Sequence, residues 1–526
     1  MPDQAADLRR ARFDLFRAGG DADIHRRTFA LVVLALTAIR VAGLILTPLG
    51  LHPDEAQYWT WSRTVAWGYF SKPPLVAWAI AATTAVFGND AWAVRLAAPF
   101  AHAGAACALF VLGRRMYGPA VGWWAGVSWL LIPGVWLSSA LITTDAMLLP
   151  LWSLALLATW RWVETRAWRW ALIAGALVGL GALAKYAMLF FPLCAALAAA
   201  WSPRVRRALV STQALGAGAV AALVLAPNLA WNAAHHFETL AHTAANANWR
   251  GNLFNVDELA GFISDQFAVA GALAILLVLV FVDFARHRDK LDDRARFLLP
   301  FAAIPLLIIV AQALISRAHG NWAASAYPAA MVLIAGRFAG DRFPPVSVLR
   351  WANAAHAALF AVFLGLALAP AAAFKAPLIG RGIENGLKRM YAWDRTAGAI
   401  AAQARAAATP YTAILVDHRH LYCELVYEFR DARDLPPVRM YVLRDAPGNQ
   451  AEAAAPMTAD RGAHVLVVHM SERYEHFVAG DFARFRTFAR METPIGPRKR
   501  RAIALSDASG FQPVERTPAF LARVGD

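Results

Sequence analysis

Carboxylates and cations lie close together in the polar stretch that follows the first apolar run. The segments HPDEAQYWTWSR and WGYFSKPPLVAW carry Asp54, Glu55, Arg63, Tyr69 and Lys72 within about twenty residues. A carboxylate here could act as a general base on an acceptor hydroxyl, while Lys72 and Arg63 could neutralise a lipid-linked phosphate. The alternative is a solvated, salt-bridged loop, because an exposed ion pair contributes only about 0 to 1 kcal/mol.

The residues after Lys72 favour the functional interpretation. Pro73 and Pro74 follow it directly. They restrict the backbone and can begin a helix. We therefore expect Lys72 to be held at a fixed height near the lipid headgroups, where it could bind a phosphate.

A second acidic residue, Asp145, lies in SSALITTDAMLLP at the predicted outer end of a span. An ionisable group that enters a span is costly, which suggests a function. The alternative is helix capping within Thr143, Thr144 and Asp145. Lys185, at the outer end of a later span, is interpreted as snorkelling to the interface in preference to binding phosphate.

The segment ISRAHGNWAASAYPAA lies at or near the same predicted surface. Arg317 and His319 are candidates for contact with a phosphate or a sugar, and Tyr327 is a further candidate for the phosphate. The alternative for this segment is anchoring in the membrane interface.

A longer outer loop, residues 231–265, has the polar and aromatic character that suits sugar stacking or acceptor contact. Its residues of this kind are His235, His236, His242, Asn246, Asn248, Trp249 and Arg250. Their spacing lacks a close helical His pair with a nearby carboxylate, so no metal ligand is predicted. Assembly of His236, Glu238 and Asp54 in space leaves a divalent metal open.

The composition indicates what must position these residues. Of 526 residues, 59% are hydrophobic and 17% are charged, against about 25% charged in an average soluble domain. Apolar runs of about 18 or more residues recur up to residue 372, and such runs can cross a hydrocarbon core roughly 30 Å thick. The net charge of +15 comes from Lys and Arg that cluster between these runs. The positive-inside rule explains this distribution without a nucleic acid partner.

The chain is therefore predicted to be a polytopic α-helical membrane protein with about eleven spans. These spans are expected at 28–49, 92–113, 120–138, 145–160, 170–187, 189–201, 208–230, 262–284, 297–315, 322–337 and 350–372. Residues 1–27 would be cytoplasmic, and residues 28–372 would form the membrane module with its first outer loop at 50–91. The short apolar segment 73–87 suits a juxtamembrane helix.

Residues 373–526 are predicted to form a small extracytoplasmic α/β domain. Strands are expected at 412–417, 438–443, 464–469 and 501–506, and helices at 393–408 and 472–484. The domain has no Gly-rich phosphate loop, and only three cysteines occur in the whole chain, which excludes a disulfide scaffold. Acceptor recognition is one hypothesis for its role.

Three motifs in order, HPDEAQYW, GYFSKPPL and TTDAMLLP, resemble bacterial members of the dolichyl-phosphate-mannose protein mannosyltransferase superfamily. Lipid A aminoarabinose transferases are functionally close relatives of these enzymes. The resemblance covers roughly residues 28–340. It implies a GT-C fold, an acidic residue in the first outer loop and polyprenyl-phosphate sugars as donors. It also implies that Asp54 is the catalytic base and that Tyr69 and Lys72 contact the donor phosphate. Asp145 would be a supporting acidic residue of the site.

Other positions match this pattern less closely. Arg317 and Tyr327 are looser matches for the donor phosphate. Acceptor contact or support of the site is assigned to Glu55, Arg63 and His319. Aminoarabinose transferases have a metal-binding Glu directly before the Lys-Pro, whereas this chain has Ser71. The departure argues against the same metal and the same sugar.

The predicted reaction transfers a sugar from a polyprenyl-phosphate donor to an envelope acceptor. This acceptor could be lipid A, the lipopolysaccharide core, another glycan or a protein. Asp54 would take the acceptor proton, Lys72 and Arg317 would stabilise the leaving phosphate, and the anomeric configuration would invert. The expected location is the bacterial inner membrane, with the active site and the C-terminal domain in the periplasm.

Two alternatives come from other classes of protein. A transporter or flippase of lipid-linked saccharides would place ionisable residues in mid-span, whereas here they lie chiefly at span ends apart from Arg40. A non-catalytic membrane scaffold with an outer binding domain is the other. It would have no need of Asp54.

Overall fold

The computed structural model describes residues 22–247, 254–340, 346–470 and 474–525. Helices account for the chain up to residue 405, and a five-stranded sheet with further short helices follows. The predicted class, a helical membrane protein with a small C-terminal α/β domain, is confirmed.

Up to residue 368 the described chain is almost entirely helical. Its α-helices are α1 (Ala22–Leu46), α2 (Pro53–Ser62), α3 (Leu75–Phe87), α4 (Ala91–Arg95), α5 (Ala97–Tyr117), α6 (Pro119–Leu131), α7 (Pro133–Ala140), α8 (Thr144–Thr165), α9 (Trp168–Ala184), α10 (Phe190–Trp201), α11 (Pro203–Leu209), α12 (Thr212–Ala234), α13 (Glu238–Ala247), α14 (Val256–Ala270), α15 (Leu273–Arg286), α16 (Asp293–Ile315), α17 (Tyr327–Ala339) and α18 (Ser347–Leu368). Short 3-10 turns lie at Tyr186–Leu189, Arg288–Lys290 and Gly320–Ala326.

Within the described ranges, six helical segments are long and apolar enough to cross a membrane: α1, α4 with α5, α8, α12, α16 and α18. The bent pairs α6–α7 and α14–α15 raise the number to eight if each is one span. Three predicted spans fall on α9, α10 and α17, which have 17, 12 and 13 residues. A helix of about 20 residues is needed to cross a bilayer. The membrane class is supported, whereas the count of eleven stays a prediction.

The bends in the two helix pairs have local causes. The angle between α6 and α7 is 56°, because Pro133 lacks an N–H and Ile132 before it is extended with a ψ of 143°. Gly271 between α14 and α15 has a φ of +58°, which glycine adopts without steric cost. The first bend leads the chain into the loop that precedes Asp145.

The loop predicted at 50–91 folds into α2, an ordered turn and α3. The turn lies on α12, because Nδ2 of Asn228 donates to the Trp67 carbonyl at 2.6 Å. A side chain at Gly68 would collide with the Trp231 ring. The predicted helix at 73–87 is confirmed as α3, and the turn that carries Lys72 has a fixed backbone.

The C-terminal domain is built on one mixed sheet. Its strands are β1 (Ala413–Val416), β2 (Val438–Met440), β3 (Val465–His469), β4 (Phe482–Pro494) and β5 (Arg500–Phe511), in the order β2-β1-β3-β5-β4. Strands β2, β1 and β3 are parallel, and β5 is antiparallel to β3 and β4. The helices of this region are α19 (Pro370–Ala373), α20 (Gly380–Leu387), α21 (Trp393–Arg405), α22 (Arg419–Glu428), α23 (Gln450–Ala454), α24 (Glu475–Gly480) and α25 (Pro518–Gly525). A 3-10 turn lies at Ala459–Arg461.

The four predicted strands are confirmed, whereas the helix predicted at 472–484 is found only over Glu475–Gly480. Its described part contains the short helix α24, and β4 begins at Phe482. Burial along β4 alternates through most of its length, as expected for a strand with one face on the core. Pairing with β5 along its whole length therefore decides the structure here.

The C-terminal domain packs on the loop at 50–91. The Tyr427 hydroxyl donates to the Asn89 carbonyl at 2.9 Å, and the Tyr427 ring meets Trp59 edge-on at 5.1 Å. The Phe70 N–H donates to Oε1 of Gln450 at 2.9 Å. Helix α22 thus lies along α2, next to the loop that carries Asp54 and Lys72.

Candidate active site

Helix α2 begins with a reciprocal cap. The Asp54 N–H donates to Nδ1 of His52 at 3.3 Å, and the His52 N–H donates to Oε2 of Glu55 at 2.8 Å. Such a capping box satisfies amides that the first helical turn leaves free. Oδ2 of Asp54 lies 3.8 Å from Nδ1 of His52, and its side chain is 49% exposed. The cap fixes the backbone of Asp54 and leaves its carboxylate accessible.

Glu55 lies in a buried ion pair. The Arg95 guanidinium donates to its carboxylate from Nε at 3.0 Å and from Nη2 at 2.7 Å, and the two side chains are 2% and 1% exposed. The Ile142 N–H also donates to Oε1 of Glu55 at 2.8 Å. Glu55 therefore ties the first outer loop to the segment before α8, which fits support of the site rather than acceptor contact.

Asp145 binds residues from two other segments. Nζ of Lys185 lies 2.7 Å from its Oδ1, and Nδ2 of Asn321 donates to its Oδ2 at 2.7 Å. The helix cap itself is Thr143, whose hydroxyl accepts from the Ala146 N–H. The interpretation of Lys185 as a snorkelling residue is wrong, because its ammonium is paired with Asp145 at the start of α8.

Lys72 is half-buried in the turn after α2. Its carbonyl accepts from the Tyr69 N–H at 3.1 Å. Burial and the charge of Lys185 lower the pKa of Lys72, Asp54 and Asp145 oppose this shift, and Arg419 adds to it. Asp54 and Asp145 therefore lie within electrostatic range of Lys72, although no ion pair joins them to it among the described residues.

Arg419 at the start of α22 was missed by the sequence analysis. Asp54 and Arg419 act electrostatically on the same four groups: Tyr58, Lys72, His420 and Cys423. Both charges therefore face one region, although 365 positions separate them. The available signal was the polar run DHRH directly after a buried strand, since parallel strands collect functional side chains at their carboxyl ends.

Two histidines lie within range of the same charges. Burial lowers the pKa of His242 to about 4, and Lys72 and Arg419 contribute. Burial, Arg419 and His418 lower the pKa of His420 to about 4 against the opposing charge of Asp54, and Arg389 contributes. Both imidazoles are therefore neutral at pH 7.

Two predicted residues of the loop are engaged elsewhere. The Tyr69 hydroxyl lies within hydrogen-bonding distance of the Trp61 and Thr64 carbonyls, at 3.0 and 2.9 Å. Arg63 donates to Thr84 and Asn89 at the far end of α2, nine residues or about 13 Å from Asp54. Tyr69 therefore shapes the loop and Arg63 lies away from Asp54, although both line the polar cavity between α2 and the C-terminal domain.

The candidate residues after α16 also differ in their burial and contacts. The Tyr327 hydroxyl is buried and donates to Oε1 of Gln266 at 2.8 Å. His319 is exposed and lies edge-on to Trp322 at 5.1 Å. Arg317 is also exposed, and it is not among the charges that act most strongly on Lys72. The segment instead reaches the cluster through Asn321.

A metal does not fit the described side chains. Within residues 22–247, 254–340, 346–470 and 474–525, no group of three or more His, Cys, Asp or Glu could hold a metal ion. Both oxygens of Asp145 have nitrogen partners, and His236, Glu238 and Asp54 do not assemble. Asn248, Trp249 and Arg250 of the same loop lie outside the described residues.

A polar cavity of about 420 Å³ lies between α2, the turn before Lys72, the end of α12 and the C-terminal domain. Residues that suit a sugar line it, among them Gln57, Trp61, Trp231, Arg419, Tyr422 and Gln450. Its size falls within the range of small-molecule sites, about 300 to 1,000 Å³. Arg419 joins this cavity to the cluster of charges, whereas Asp54 and Lys72 do not line it.

Comparison with known proteins identifies the family. The chain is 34% identical over 409 residues to the lipid A galacturonosyltransferase RgtD of Rhizobium johnstonii, and the match covers 77% of this chain and 83% of that enzyme. The chain belongs to the same glycosyltransferase family. Residues 71–231 also match the dolichyl-phosphate-mannose-protein mannosyltransferase family. The predicted glycosyltransferase class is confirmed over a transporter or a scaffold.

Solved structures agree on the fold. ArnT from Cupriavidus metallidurans, in the apo state and bound to undecaprenyl phosphate, superposes with a TM-score of 0.61 at 16% identity. Each comparison covers 91% of this chain and 97% of ArnT. The predicted GT-C fold is thereby confirmed. With the family shown by the relative and with its long apolar helices, this chain is a membrane-embedded glycosyltransferase.

Proposed function

We propose that this glycosyltransferase moves a hexuronic acid from a polyprenyl phosphate to lipid A. The observation that carries the proposal is the half-exposed Asp54 carboxylate, whose charge acts on Lys72 together with the charges of Lys185 and Asp145. A base and phosphate-binding cations in one place are what glycosyl transfer from a phosphate-linked donor requires. The sugar and the acceptor follow the name of the related enzyme, and the lipid follows the ligand of ArnT.

In the proposed mechanism Asp54 accepts the proton of an acceptor hydroxyl while that oxygen bonds to the anomeric carbon. The bond between this carbon and the phosphate oxygen breaks in the same displacement, so the configuration inverts. The electron pair leaves on a phosphate monoester, whose growing charge Lys72 stabilises. Lys185 is partly neutralised by Asp145, which holds it in place beside Lys72.

An apolar cavity supports a lipid-linked donor. It measures about 720 Å³ and is lined by residues of α8 to α12. The lining includes Leu189, four positions after Lys185, and continues as far as Arg206. A polyprenyl chain in this cavity would place its phosphate near the cation cluster, at the periplasmic face of the inner membrane.

Reconstitution tests this function directly. The purified protein in lipid nanodiscs would be given synthetic polyprenyl-phosphate galacturonate and lipid A, and the products analysed by mass spectrometry and NMR. We expect one added hexuronic acid per transfer and an inverted anomeric configuration. Transfer from a nucleotide sugar but not from the lipid-linked sugar would contradict the donor assignment, and retention of configuration would contradict a single displacement.

A further inference from the structure

The C-terminal domain delivers one cation to the active site. Arg419 is half-buried at the first position of α22 and lines the polar cavity. Its charge acts on Lys72, His242 and His420. Across the described chain, its guanidinium has no hydrogen bond or ion pair. A partly enclosed guanidinium of this kind is suited to an anionic ligand.

The position of Arg419 is fixed from the domain side. Strand β1 ends at Val416, and Oδ2 of the next residue, Asp417, lies 3.3 Å from Nδ1 of His469 at the end of β3. His418 then caps α22 by accepting from the His420 N–H. The turn that presents Arg419 is therefore held by two neighbouring parallel strands.

Unsatisfied polar atoms accompany Arg419. Oε1 of Gln57 in the cavity wall and Nε2 of His420 next to Arg419 are buried and have no hydrogen-bond partner among the described residues. Burial without a partner is unfavourable for such groups. A hydroxyl group of a sugar in the cavity could satisfy Oε1 of Gln57, and the aromatic lining would accept the sugar's apolar face.

The donor phosphate does not require Arg419, because the other charges of the cluster already balance the charge of the phosphate. Asp145 pairs with Lys185, and a phosphodiester carries one charge that Lys72 can neutralise. Asp54 does not neutralise Arg419 either, because no hydrogen bond or ion pair joins the two among the described residues, and the carboxylate lies 3.8 Å from Nδ1 of His52. A second anionic group, on the transferred sugar, would neutralise the charge of Arg419.

We propose that Arg419 binds the carboxylate of the transferred uronic acid and thereby sets the sugar specificity. The inference rests on the proposed function and assigns the sugar subsite to the end of the cavity at Gln57 and Arg419, about one helical turn from Asp54. A guanidinium can hold a carboxylate through two parallel hydrogen bonds, whereas a lysine offers only a point charge. The C-terminal domain then selects the donor sugar.

Two donors that differ only at C6 test this assignment. Polyprenyl-phosphate galacturonate and polyprenyl-phosphate galactose would be compared with lipid A as acceptor, using the wild type, Arg419→Gln and Arg419→Lys. We expect Arg419→Gln to lower kcat/KM for galacturonate by about 10- to 100-fold, with little change for the slower galactose donor. Arg419→Lys should retain an intermediate preference.

Arg433→Gln is the matched control, because Arg433 is an exposed residue of the same domain and both rates should stay at the wild-type level. Equal losses for the two donors in both Arg419 variants would overturn the assignment and indicate a role in phosphate binding, acceptor binding or folding. An unchanged preference would also overturn it. If the wild type transfers neither sugar, the proposed function fails first, and the inference fails with it.

Discussion

Nζ of Lys185 lies 2.7 Å from Oδ1 of Asp145, so the start of α8 and the residue after α9 are joined by one ion pair. The side chains are only 19% and 10% exposed. A pair with so little water around it differs from a surface pair, because neither charge can be solvated if the other is removed. It therefore acts as a structural unit within the site.

Removal of one partner of this pair should destabilise the protein. We expect Asp145→Ala to lower the free energy of unfolding by about 3 to 5 kcal/mol, measured by denaturant titration in detergent. The double variant with Lys185→Ala should lose less than the sum of the single variants, because no buried charge is left alone. Asp434→Ala is the control, since the Arg405–Asp434 pair is exposed and should contribute little. Strict additivity would contradict the coupling.

Replacement of Asp54 should separate catalysis from folding. We expect Asp54→Asn to lower kcat by at least about 100-fold, the lower range for a general base, with a nearly unchanged melting temperature and donor KM. Asp431→Asn, at a side chain that is 90% exposed, is the matched control and should keep full activity. Activity of Asp54→Asn within a few-fold of the wild type would remove Asp54 from the role of base.

The sequence predicted the parts of this site that lie near each other in the chain. Asp54 and Lys72 share one loop with a distinctive order of residues, and the helix cap before Asp145 has a local signature. Lys185, Asn321 and Arg419 join the same cluster from distant segments. No local pattern predicts such pairing, because it depends on how helices pack and on where the C-terminal domain docks.

The fold, too, was predictable where the signal is local and not where it depends on distant segments. The class follows from apolar runs and from the change in composition after residue 372. The helix predicted at 472–484 already ends at Gly480, because the strand β4 that follows is set by pairing with β5, a non-local interaction. The surroundings of Arg63 and Tyr69 could not be predicted for the same reason. Both side chains hydrogen-bond to neighbours that only the folded loop brings near.

The pKa of Lys72 should appear in the pH dependence of donor use. Burial and Lys185 lower this pKa from its ordinary value of 10.5, so Lys72 loses its proton at a lower pH than an exposed lysine. We expect kcat/KM for the donor to fall with rising pH at a point below 10.5, because neutral Lys72 no longer attracts the phosphate. The pH profile of kcat/KM measures this directly.

The control for that profile is Lys72→Arg. Arginine keeps its charge to a higher pH, so the alkaline fall should move upward or disappear, whatever the absolute rate. An identical alkaline limb in the wild type and in Lys72→Arg would assign the titration to another group.

Glu55 and Asp54 are neighbours in sequence and should respond oppositely to substitution. Glu55 is enclosed with Arg95 and also holds the Ile142 N–H, so Glu55→Ala leaves a buried guanidinium and a buried amide without partners. We expect a loss of about 3 to 5 kcal/mol in unfolding free energy, seen as low yield and a lowered melting temperature. Asp54→Ala is the matched control, because its half-exposed carboxylate has no such partners: it should fold normally and lack activity. A stable Glu55→Ala protein with normal donor affinity would show that the ion pair does not hold the catalytic loop in place.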